Sequence, residues 1–83
     1  MSIDVEKQRL RWQCRRGLLE LDYMLQHYLE HRFSQAEPQE QAQFIQLLQQ
    51  QDDRLQAWLL EGETPEHALV VIVHQLRHLI VSS

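Results

Sequence analysis

Four residues punctuate this chain of 83: the glycines Gly17 and Gly62 and the prolines Pro38 and Pro65. Between them run leucine, glutamine and glutamate at helical spacings, so the chain has the means for short helices and for little else. The breaks decide where those helices turn, and Gly17 is the most demanding of them. A glycine inside a helix costs roughly 1 kcal/mol against alanine. Either something that needs its bare backbone offsets that cost, or Gly17 is a joint between two helices. Arg16 and Glu20 are four apart, so on a helix starting here they share one face with Gly17 beside them. Two readings follow. One is a helix boundary carrying a solvated ion pair, worth a few tenths of a kcal/mol. The other is a small charged platform, with bare backbone at its centre, on which another polypeptide docks.

Apolar spacing marks out five segments. Asp4 reads as the N-cap of a first helix to about Cys14, thinly apolar with Val5, Leu10, Trp12 and Cys14. A second runs from near Gly17 to about Arg32, with Leu18, Leu21, Leu25, Tyr28 and Leu29 as its stripe, widened by Leu19 and Met24. Glu20, Gln26, His27 and Glu30 face away from that stripe or lie on its edge. After a break from Ser34 to Pro38, a third helix reads to about Gln50, burying Ala42, Ile45 and Leu48 with Phe44 and Leu47 beside them. The glutamines between Gln46 and Gln51 read as its surface. Asp52 reads as the N-cap of a short fourth helix to about Leu60 that buries Leu55, Trp58 and Leu59, and Gly62 ends it in a left-handed conformation. Thr64, Pro65 and Glu66 then read as cap, first position and first-turn acid of a fifth helix over about 65–80. Leu69, Ile72, Val73, Leu76, Leu79 and Ile80 share its buried face, and Val70 and Val71 spill beyond it. The expected fold is all-α: a compact bundle of about five short helices, one domain over residues 1–83, with a radius of gyration of roughly 12 Å.

Charge and composition exclude several functions. Up to Phe33 six basic residues stand against five acidic ones; beyond it two stand against seven, for a net charge of −4. Phosphate neutralisation wants a larger basic face, so no nucleic-acid partner is expected. The longest apolar run, Ala68 to Val73, is far too short to cross a bilayer, and the N-terminus has no apolar run of the signal-peptide kind. With one cysteine, Cys14, there is no internal disulfide and no multi-cysteine metal site. A cytoplasmic, monomeric protein without direct membrane insertion is expected.

Candidate chemistry is sparse. His27/His31 and His74/His78 are each four apart, a spacing zinc can use with Glu30 or Asp22 as a further ligand, but there is no His-Glu-x-x-His arrangement and no cysteine partner, and both pairs read as surface histidines. Cys14 has basic neighbours in Arg11 and Arg15, yet no oriented histidine base, and reads as a semi-buried thiol at a helix end. Neither glycine can build a phosphate-cradling loop. Trp58 reads as core. Trp12 covers the joint between the first two helices or serves as a partner anchor. Asp52-Asp53 reads mainly as a cap. No enzyme is visible.

Arg16-Gly17-Leu18-Leu19-Glu20, preceded by Trp12-Gln13-Cys14-Arg15 and followed by Leu21-Asp22, resembles the Arg-Gly-x-x-Glu motif of the succinate dehydrogenase flavin-assembly factors, the SdhE-type family. Glu30-His31, Phe44-Ile45, Leu47-Leu48, Asp52-Asp53, Leu55 and Trp58-Leu59 continue the likeness over roughly residues 7 to 80. The resemblance implies a chaperone-like factor without stably bound cofactor, acting on the FAD of its partner. That partner is the flavoprotein subunit of succinate dehydrogenase or fumarate reductase. It implies docking through Arg16, Gly17 and Glu20, with Trp12, Arg15, His31 and Asp53 as further partner-binding candidates. Some family members are described as antitoxins, so a regulatory helical protein binding a toxin or cytoskeletal partner is the alternative, and a small metal-binding bundle a third reading.

Overall fold

Leu21, Met24, Leu25, Tyr28 and Leu29 recur at three- and four-residue steps, and the helix that carries them, α2 (Leu19–His31), buries all five. The others pack around it. The computed structural model describes the backbone of residues 2–82 and the side chains of residues 5–79. In chain order the helices are α1 (Ser2–Gln13), α2, α3 (Pro38–Leu47), α4 (Asp52–Leu59) and α5 (Val70–Ser82). Short 3-10 turns fall at Phe33–Gln35 and His67–Leu69, and no strand occurs among the described residues. The all-α bundle of five short helices expected from the sequence is the fold found, with a radius of gyration of 11.9 Å.

The core is one cluster fed by all five helices, from Leu10 and Cys14 to Ile72, Val73 and Leu76. Leu55, Trp58 and Leu59 are buried on α4, as their spacing predicts. On α3 the stripe is rotated from expectation. Phe44 and Leu47 are buried with Leu48, Ile45 is half-buried, and Ala42 is exposed. Aromatic packing sets that rotation: the Phe44 ring lies 4.6 Å from Tyr28 and 5.6 Å from Phe33, centroid to centroid, and turning it outward would give up far more apolar burial than Ala42 could replace. The Tyr28 hydroxyl donates to Glu40 Oε2 at 2.5 Å, joining α2 to the first turn of α3. Burial and that carboxylate push the tyrosine pKa well above its ordinary value.

Helix ends depart from the sequence reading in four places. α1 begins at Ser2, so Asp4 lies within its first turn, where an acid suits the helix dipole, and is not its N-cap. α3 stops at Leu47, so the glutamines after it belong to a turn. Asp52 is the first residue of α4, behind an extended Gln51 in the cap position. The fifth helix starts late. Residues 62–66 form a non-helical link, and the chain re-enters helix through the 3-10 turn His67–Leu69. Arg77 ties down that link, with Nε and Nη2 donating to the Trp58 carbonyl (2.8 and 2.5 Å) and Nη2 to that of Glu63 (2.6 Å). Arg54 meets Glu66 at 3.3 Å. Gly62 has φ +78°, the left-handed conformation expected after α4. Leu69 in the 3-10 turn and Ile72, Val73 and Leu76 on α5 are buried, Val70 and Val71 are exposed, and the side chain of Ile80 lies outside the described residues.

Leu25→Ala, at a fully buried position, is expected to lower the unfolding free energy by about 2–5 kcal/mol. Gly62→Ala is expected to cost about 1–2 kcal/mol, because alanine must hold a left-handed φ. Urea titration followed by far-UV circular dichroism measures both, and an unchanged midpoint for Leu25→Ala would contradict the core assignment.

Candidate functional site

The five residues between α1 and α2 form a tightly held turn. The Cys14 and Arg15 N–H groups still donate back to α1, to Leu10 (3.0 Å) and Trp12 (3.1 Å). The chain then reverses at Gly17, with φ +79°. Gly17 is thus the joint and not a helical residue. α2 starts behind Leu18, which provides no side-chain cap. Asp22, in the first turn, does two jobs: its N–H donates to the Leu18 carbonyl at 2.8 Å, and its carboxylate accepts the backbone N–H of Arg16 at 2.6 Å.

Arg16 does not share a helix face with Glu20, as the spacing had suggested, because it lies outside α2. Its guanidinium turns to the corner between α3 and α4. Nη1 donates to the Gln50 carbonyl (3.1 Å) and to Asp52 Oδ1 (3.3 Å), and Nη2 donates to the Leu48 carbonyl. The side chain is 15% exposed. Both carbonyls lie where α3 gives way to the turn before α4, Leu48 as the C-cap and Gln50 in the turn itself, and a cation close by settles on them.

Around Gly17 the surface is unusually apolar. Trp12 is 73% exposed and Leu19 89% exposed. Trp12 therefore covers no interhelical joint; instead the Arg15 guanidinium lies over its ring, 5.7 Å from the centroid. Gln8, Arg11, Trp12, Arg15 and Gln26 line an open recess of about 300 Å³, and Arg11 pairs with Glu30 across it at 2.7 Å. Leu19, read from the sequence as part of the buried stripe, and Tyr23, which that reading passed over, both face solvent. Their offset from Leu21 and Leu25 along α2 was the available signal.

The other candidates scatter. Glu20 is exposed in the first turn of α2, one turn from Gly17. His31 is exposed at the far end of that helix, about 18 Å of axis from Leu19, its ring 4.5 Å from His27. Asp53 is exposed on α4, with its carboxylate bonded to the Arg54 N–H at 2.9 Å. Asp52, its neighbour, is the acid that reaches the turn, through Arg16. No three His, Cys, Asp or Glu side chains come together to hold a metal among the described residues. No helix there is long and apolar enough to cross a membrane.

Cys14 is fully buried, and burial pushes its thiol up from 9.0 to about 12, with Arg16 opposing and Asp22 and Glu30 adding to the shift. It is a neutral core group at pH 7, not a nucleophile.

Fold and site define a small all-helical protein whose most firmly held surface feature is a glycine turn between exposed apolar side chains. The family model described as flavinator of succinate dehydrogenase matches residues 8–80. An FAD assembly factor SdhE from Legionella pneumophila (strain Lens) is 41% identical over 73 residues, covering 88% of this chain and 92% of that protein. The FAD assembly factor SdhE of Xylella fastidiosa (strain 9a5c) is 38% identical over 80 residues, covering 92% and 82%. That of Coxiella burnetii (strain RSA 493 / Nine Mile phase I) is 42% identical over 66 residues, covering 80% of each. The chain belongs to the succinate dehydrogenase flavinator family. No solved structure matches it.

The thiol carries the testable consequence. Cys14 is expected to resist alkylation by iodoacetamide at pH 8 in the folded protein and to react fully in urea; rapid labelling of the folded chain, read by mass spectrometry, would refute the burial. Because the folded pKa lies above the unfolded one, the thiol's contribution to stability is complete below pH 9.0 and fades as pH rises towards about 12.

Proposed function

We propose that this chain is an assembly factor promoting covalent attachment of FAD to the flavoprotein subunit of succinate dehydrogenase, and of fumarate reductase as well, by docking the Gly17 turn on that subunit. The family membership and the relatives named FAD assembly factor support the flavinylation role. The observation that carries the docking reading is the space outside Gly17. A Cβ there would meet nothing within 4 Å, although φ is +79°. The glycine therefore makes no room for the chain's own atoms. It allows a left-handed turn whose bare backbone stands open, and a partner backbone can approach it closely.

The groups around it suit recognition. Trp12 with Arg15 above it is an aromatic–cation pair of the kind that anchors interfaces. Leu19 supplies apolar area, and Glu20 can accept from a partner amide or cation. Asp53 and His31 belong to the rim in this reading. The reactive groups are the partner's: a histidine of the flavoprotein and the flavin it binds. Docking holds a conformation in which the two meet, and fixing such a near-attack geometry is itself a source of rate. The factor works as a single copy and keeps no FAD of its own.

Gly17→Arg is expected to abolish covalent flavinylation when co-expressed with the flavoprotein subunit, while the variant stays folded, since the left-handed strain costs only about 1–2 kcal/mol. Gly17→Asn, which tolerates positive φ, separates strain from bulk and is expected to retain partial function. The readout is flavin fluorescence of the denatured flavoprotein on a gel. Full fluorescence beside a folded Gly17→Arg protein would defeat the docking reading.

A further inference from the structure

We propose that Arg16 serves the docking turn from beneath, as a positioning residue that does not touch the flavoprotein. The inference rests on the docking reading above and gives one member of its motif a different task. Residue 16 is clamped at both ends. Its backbone N–H is held by the Asp22 carboxylate at 2.6 Å, which ties it to the first turn of α2. Its guanidinium is held from the opposite side by the carbonyls of Leu48 and Gln50 and by Asp52 Oδ1. Gly17 is the next residue, so the direction its open backbone faces is set by a residue pinned between two elements. Without the clamp, a glycine is the residue most free to wander.

A contact role would require those donors to be withdrawn. The Leu48 carbonyl at the C-cap of α3 and the Gln50 carbonyl in the turn beyond it would then lose this donor, and Asp52 would lose its partner. The side chain is 15% exposed, and Nε, which has no partner, is buried and offers nothing outward. Arg77 makes the same kind of cap on α4, on the Trp58 and Glu63 carbonyls, away from the turn. It provides an internal control: equal in kind, different in place.

The test combines isothermal titration against the purified flavoprotein subunit of succinate dehydrogenase with amide spectra of the free chain. Arg16→Gln is expected to move the amide signals of Gly17, Leu18 and Glu20 together with those of 49–52, and to weaken binding about tenfold, as for a lost charged hydrogen bond. Asp22→Ala frees the same turn from its other side, so the double variant should bind no more than about twofold more weakly than Arg16→Gln alone. Arg77→Gln should lower thermal stability and leave binding within about twofold of the parent. If Arg16→Gln does not fold, Arg16→Lys, which can still reach one carbonyl, takes its place with the same expectations at smaller amplitude. Weakened binding with unmoved Gly17 and Glu20 signals would identify a direct contact and overturn the proposal, as would Arg16 and Asp22 effects that multiply. Undiminished binding by Gly17→Arg would sink the docking reading itself, and this inference with it; impaired binding by Gly17→Arg leaves that reading standing whichever way Arg16 falls.

Discussion

A helix of eight to thirteen residues spends much of its length on its two ends, and each C-terminal end leaves carbonyls without intrahelical donors. A bundle of five such helices must satisfy many of them near its core. Two arginines meet this need in the same manner. Arg16 crosses from the α1–α2 turn to the end of α3, and Arg77 crosses from α5 to the end of α4. Each joins elements distant in sequence and places a cation at the negative end of a helix dipole. These crossings fix where one short helix stops and the next begins.

The arrangement divides the motif between the interior and the surface. Arg16 looks inward and Gly17 outward, and both are needed for one geometry. The arginine holds the turn in place, and the glycine permits it to be left-handed. Trp12, Leu19 and Tyr23 are then left standing in water on either side. Cys14, two residues before Arg16, contributes a neutral thiol to the core.

Periodicity made much of the fold legible. Leu55, Trp58 and Leu59 on α4, and Leu69, Ile72, Val73 and Leu76 near α5, lie where three- and four-residue spacing puts them. Gly62 was readable because only a left-handed end explains a glycine there. Three features were hidden. The stripe of α3 was rotated because ring packing of Phe44 against Tyr28 is tertiary, and no local count of Ala42, Ile45 and Leu48 contains it. Thr64-Pro65-Glu66 carried every local mark of a helix start, yet the stretch is not helical, and Arg77, far along the chain, holds the Glu63 carbonyl just before it. Arg16 was misjudged for a related reason. Its spacing to Glu20 is visible in one dimension, whereas the carbonyls that claim it are more than thirty residues away. The turn at Gly17 was legible, but the direction in which the Arg16 guanidinium points was not.

An indole and a leucine side chain held bare in water carry a colloidal consequence. Such a surface attracts its own kind as readily as a partner, and only like charge keeps copies apart. The net charge of −4 supplies that repulsion at neutral pH. Around pH 5.6, where the net charge of the sequence vanishes, that repulsion is gone and the exposed side chains would turn molecules of this protein upon one another, so solubility has its minimum there.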